Sequence, residues 1–150
     1  MRLKFLLPAA ALVAVTRIDP ASAVSGWDYN DKGAYGPKSW GGVCQTGTAQ
    51  SPIDFADELA EYKAFDRFTM NNYGADPWMV RVVNNGHSFT AMWTAAPGKE
   101  ATVMGGGLGG KYAFAQLHFH WGGASDRGSE HTVGGKGYPL EMHLVHYNKK

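Results

Sequence analysis

The 150 residues contain one cysteine, Cys44, so no disulfide can close within them. Charge of one sign is equally scarce. Only 18% of residues are charged and the formal net charge is +1, which supplies neither a basic surface for nucleic acid nor one for an anionic membrane. There is no apolar run long enough to span a bilayer, no internal repeat, no low-complexity tract and no Asn-x-Ser/Thr acceptor for glycosylation. What is abundant is turn chemistry. Twenty glycines and seven prolines beside 13% aromatics predict many turns between short strands, a mainly β fold with irregular and short helical segments rather than a helical bundle.

The first residues read as a targeting signal. Arg2 and Lys4 form a basic start, residues 5–15 are apolar, and Ala21-Ser22-Ala23 is a small-residue cleavage site. Pro8 and that small-residue ending argue against a buried N-terminal helix. Residues 1–23 are therefore expected to be a signal peptide and residues 24–150 the exported chain, extracellular or, in a bacterium, periplasmic. In such a compartment Cys44 keeps a free thiol, pairs with another chain, or lacks its partner. The sequence stops at Lys149-Lys150 just past a predicted strand, and with the lone cysteine this suggests a chain incomplete at its C-terminus.

Residues 24–49, rich in glycine and aromatics, predict an irregular packed segment. Pro52 makes Ser51 extended, and residues 59–69 fit either a short helical turn or a strand. Residues 79–93 carry a β-branched run that breaks at Asn84-Asn85-Gly86 and resumes at His87. Gly105 to Gly110 is expected to be a flexible lead-in to the next strand. After a turn-rich stretch, Pro139 opens a last strand over residues 140–147.

The stretch Tyr112 to Trp121 alternates with period two over its whole length. One face carries Ala115, Leu117, Phe119 and Trp121, an ordinary core face; the other carries Phe114, Gln116, His118 and His120. Imidazoles at i and i+2 are roughly 7 Å apart at Cα, near enough to converge on one ion. Two half-exposed strand histidines explain this stretch alone equally well. The last strand supplies a third candidate, because Glu141, His143 and Val145 share a face. A catalytic zinc site needs three protein ligands and an open position, and three imidazoles are one standard set. His118, His120 and His143 are thus candidate ligands, and Gln116 and Glu141 the groups that would fix their tautomers. His131 and His146 are expected to be structural.

These residues carry a resemblance. Gln116-Leu-His118-Phe-His120-Trp-Gly122, Glu130-His131-Thr132-Val133 and Glu141-Met-His143-Leu-Val145-His146 resemble the α-class carbonic anhydrases. So, in order, do Trp27-Asp-Tyr29, Gly36-Pro37, Trp40, Gln50-Ser51-Pro52-Ile53-Asp54 and Asn84-Asn85-Gly86-His87-Ser88-Phe89. The resemblance implies a large, mostly antiparallel twisted sheet and a Zn(2+) enzyme that hydrates carbon dioxide reversibly to bicarbonate and a proton through zinc-bound hydroxide. It implies His118 and His120 binding through Nε2 and His143 through Nδ1, with Gln116 and Glu141 behind them. His87 matches the proton-shuttle histidine, and Tyr29 and Asn85 match polar residues that order the water chain. Glu130 matches the acceptor for a hydroxide-orienting threonine, and Val145 one wall of the carbon dioxide pocket. In that family zinc lowers the pKa of its water to about 7.

The chain departs from the pattern in length. The threonine, most of the pocket and a disulfide partner for Cys44 would lie beyond Lys150, as would any membrane anchor, so residues 1–150 alone are expected to be inactive and to expose strand edges. A carbonic-anhydrase-like binding or matrix protein without activity is the alternative, though such members usually lose a zinc histidine. A purely structural zinc module would leave both the open position and His87 without a role.

Overall fold

The computed structural model describes residues 26–30, 32–75 and 79–148. The expected signal peptide lies outside the described residues. Eight strands occur among them: β1 (Asp54–Phe55), β2 (Thr69–Asn71), β3 (Met79–Asn84), β4 (Phe89–Thr94), β5 (Thr102–Met104), β6 (Tyr112–Trp121), β7 (Thr132–Val133) and β8 (Leu140–Asn148). Among the described residues helical structure is limited to α1 (Val43–Thr46) and two single 3₁₀ turns, Pro37–Ser39 and Asp57–Leu59. The mainly β expectation holds. No helix among the described residues is long and apolar enough to cross a membrane.

One compact unit comprises Lys63–His120 and residues 142–148. Its sheet has six strands in the path β2-β5-β6-β4-β3, with β8 also paired to β6. Every ladder along that path is antiparallel. The longest ladder, β3 on β4, follows from the β-branched run, and it turns where Asn84-Asn85-Gly86 predicts. There Asn84 Oδ1 accepts the Gly86 N–H at 2.9 Å, and Gly86 adopts φ +87°, which only glycine takes without strain. Two rungs, Thr90↔His118 and Ala91↔Leu117, join β4 to β6, and Thr102↔Ala113 and Val103↔Tyr112 join β5 to it.

The core of this unit is small-residue and β-branched: Ala101, Val103, Ala113 and Val145 are buried, and Trp93 stacks on Phe114 at 3.6 Å between ring centroids. Among the described residues β2 and β3 end the path, and Met79, Val80 and Val82 of β3 are exposed.

The glycine cluster differs from expectation. Gly106 donates its N–H to Asp66 O at 2.9 Å, and a Cβ there would strike the Phe68 ring. Close approach by Phe68, together with φ +59° at Gly106, explains the glycine. The ambiguous residues 59–69 resolve as the end of a 3₁₀ turn followed by chain without regular structure up to β2.

A second compact unit comprises residues 26–62 and 121–141. It contains the parallel pair β1–β7, Asp54↔Thr132 and Phe55↔Val133. The Asp54 carboxylate accepts Thr132 Oγ1 at 2.7 Å and the Gly135 N–H at 2.9 Å, and these bonds hold its pKa below the usual carboxylate value. Residues 26–49 are irregular as expected, ordered around Trp27, Tyr29 and Trp40 in edge-to-face contacts of 5.4–6.0 Å. Cys44, on α1, is exposed with a free thiol.

Candidate metal centre

Two candidate ligands share one strand because alternation puts them there. His118 and His120 sit two residues apart on β6, the strand that β5, β4 and β8 all pair with. His143 lies on β8 and is 7% exposed. The three rings gather with centroids 4.7–5.0 Å apart, His118 edge-to-face with both His120 and His143. One potential ligand nitrogen from each lies within 4.8 Å of the others, and His118 Nε2 and His143 Nδ1 approach to 3.1 Å.

Behind the first of these rings, Gln116 Oε1 lies 3.0 Å from His118 Nδ1. An amide oxygen can only accept, so Nδ1 carries the hydrogen and Nε2 is left with its lone pair facing His143. Tetrahedral Zn–N bonds of about 2.0–2.1 Å place ligand nitrogens about 3.3 Å apart. The donor set fits zinc: three imidazoles, one already oriented by an amide, with nitrogens at close to coordination spacing.

The other expected site residues form two further groups. On the turn between β3 and β4, His87 is exposed, and its backbone N–H is bound by Asn85 Oδ1 at 2.9 Å; the same oxygen accepts the Ser88 N–H at 2.7 Å. The structure therefore gives Asn85 a turn-closing task that its expected part in ordering water did not anticipate. In the second unit, Tyr29 donates its O–H to Glu130 Oε1 at 3.0 Å. Burial first, and then the Glu130 charge, push the Tyr29 pKa upward, so this tyrosine stays a donor.

Glu141 was expected to support a ligand histidine. Its Oε2 accepts the backbone N–H groups of Glu130 and His131, each at 2.9 Å, and Oε1 meets His131 Nδ1 at 2.7 Å. It thus fastens the segment that carries Glu130, with the His131 ring also lying against Phe55. His131 is structural in that sense. Val145, expected beside a pocket, is buried at 8% exposure on the same strand face as His143.

The model for eukaryotic-type carbonic anhydrases matches residues 35–150. The chain belongs to the carbonic anhydrase family. Carbonic anhydrase 7 of Homo sapiens is 39% identical over 127 residues, covering 83% of this chain and 47% of the human protein. Its counterpart from Mus musculus is 39% identical over 126 residues, covering 83% of the chain and 46% of the mouse protein. A Caenorhabditis elegans protein with the provisional name carbonic anhydrase 5 is 37% identical over 137 residues, 91% of this chain and 43% of that protein. The chain thus spans about half the length of the curated relatives it matches. The antiparallel sheet agrees with that membership, and the pairing of β8 with β6 brings the histidines of the two strands together.

Two contacts had no spacing signal in the sequence. Tyr73 meets His146 Nε2 through its hydroxyl, a pairing across 73 positions. Ser88, one of seven serines, is 7% exposed and bonded to the main chain of Phe119. Neither contact has a spacing rule, because each depends on which strands become neighbours.

Proposed function

We propose that this chain carries the zinc site of a carbonic anhydrase that hydrates carbon dioxide reversibly to bicarbonate and a proton. The observation that supports it most is the convergence of His118, His120 and His143, with His118 Nε2 and His143 Nδ1 3.1 Å apart. His118, His120 and His143 would hold the ion as neutral imidazoles, and a zinc ion so held would supply a positive charge that polarises a bound water.

The chain's own residues would then divide the work. Gln116 holds the His118 tautomer through the 3.0 Å contact, and Glu141 is proposed to support the His143 side of the site. His87, exposed on its turn, is proposed to pass protons between the site and bulk solvent, the task an accessible imidazole can perform. Asn85 fixes the backbone from which that imidazole projects. Tyr29 and Glu130 form a polar pair proposed to orient the attacking oxygen, and Val145 is proposed as an apolar wall for carbon dioxide. The N-terminal pattern of residues 1–23 supports export as the setting.

The test is a hydration assay on the whole protein with zinc supplied. Activity is expected, and His87→Ala should lose it mainly in weak buffer and regain it when imidazole is added. Zinc uptake with no hydration would instead identify a non-catalytic binding protein of the same fold. In a separate measurement, Gln116→Ala is expected to weaken zinc binding by about 10- to 100-fold, the usual cost of removing a group that orients a ligand imidazole. Chelator competition reads this, and an unchanged affinity would remove Gln116 from the site.

A further inference from the structure

The ladder between β4 and β6 runs through Ala91↔Leu117 and Thr90↔His118. Continued by one step, its antiparallel register would set Phe89 opposite Phe119. Instead both main-chain groups of Phe119 turn to a side chain. Ser88 Oγ donates to Phe119 O at 2.7 Å and accepts the Phe119 N–H at 3.3 Å. The hydroxyl replaces a backbone rung and satisfies both groups at once.

Two features make that position matter. Phe119 is the residue between His118 and His120, so whatever fixes its peptide groups fixes the two ring bearings on either side. Ser88 is also the residue after His87, in a turn closed by Asn85 Oδ1 on the His87 and Ser88 N–H groups and by the Asn85 N–H on Ser88 O at 3.2 Å. The turn is a self-contained rigid loop, and Ser88 is where it attaches to the ligand strand.

We propose that Ser88 is a positioning residue: its buried hydroxyl pins the β6 backbone between two metal ligands to the turn that presents His87. This rests on the reading of His118, His120 and His143 as a zinc site. Ser88 touches no reacting atom in this account; it acts through Phe119. At a serine 7% exposed, removing the hydroxyl takes away the partner that two peptide groups of the ligand strand share.

Ser88→Ala and Ser88→Thr separate the hydroxyl from the packing, because threonine keeps the hydroxyl and alanine does not. Amide hydrogen exchange on the metal-free chain should show the Phe119 N–H exchanging about tenfold faster in Ser88→Ala, as loss of one buried hydrogen bond predicts. Zinc affinity by chelator competition should fall about tenfold or more in the same variant, in the range for lost ligand support. Ser88→Thr should recover most of both. Phe119 exchange and zinc affinity within twofold of the parent in Ser88→Ala would overturn the proposal. So would lower thermal stability with unchanged zinc affinity, the mark of a merely structural serine. If the parent chain takes up no zinc, the metal reading has failed, and the Phe119 exchange still decides whether Ser88 pins that backbone.

Discussion

Alanine at His143 is expected to lower zinc affinity by more than roughly 100-fold, beyond what the loss of an outer supporting group costs. The reason is geometric. His118 and His120 come from one strand and cannot surround an ion by themselves, whereas the His143 ring closes the triangle at 4.7 and 4.8 Å from the other two. Two imidazoles and water make a much poorer site than three imidazoles and one open position. Because His143 is largely buried, His143→Gln provides a control that keeps volume and polarity; it should fold and still fail to hold zinc. Titration with a competing chelator, alongside far-ultraviolet circular dichroism, separates metal loss from unfolding. Zinc affinity within threefold of the parent in either variant would refute the three-histidine centre.

Acid should weaken the fold by a route that bypasses the metal. His146 is fully buried, with Nδ1 2.9 Å from Leu144 O, so Nδ1 bears the hydrogen and Nε2 accepts from the Tyr73 hydroxyl. The Phe114 ring lies edge-on at 5.6 Å. A proton added at Nε2 would force the Tyr73 hydroxyl to turn from donor to acceptor, and would put charge among buried aromatic rings. Burial accordingly pushes the His146 pKa below 6.5 and the Tyr73 pKa up to about 12. With the folded-state pKa depressed, the unfolded chain binds the proton first as pH falls below about 6.5. Above that value His146 is neutral in both states and contributes no pH dependence. Below it stability drops, by at most about 1.4 kcal/mol per pH unit for one proton. Urea unfolding between pH 7 and pH 5 should show this slope, and His146→Gln, which cannot titrate, should lose that share of it. Identical pH profiles for the two proteins would exclude His146 as the source.

The two long strands at the centre could be read from the sequence because alternation is a local property. β6 has the bounds that its ten-residue pattern gives, and β8 differs only in extending to Asn148. The same periodicity put His118 and His120 on one face and offered His143 as their partner. Other features needed the tertiary fold. β5 is three residues beside a glycine cluster, and β1 and β7 are two residues each, too short for any period to register. The glycines of residues 105–110 were expected to be loose because composition cannot say that an aromatic ring will press on them. The contacts of the Glu141 carboxylate with the backbone of Glu130 and His131 and with the His131 ring follow no spacing rule either.

β8 carries one consequence for how the site can fail. A strand can shift against its neighbour only in whole residues, and each single step turns every side chain to the opposite face. Moved by one position, β8 would present Met142 or Leu144 where His143 stands; moved by two, Glu141 or Val145. No intermediate displacement offers a partial imidazole. The number of ligands is therefore quantised by the pairing of β8 with β6, and a misregistered chain would be a distinct species with two histidines rather than a weaker version of the same centre.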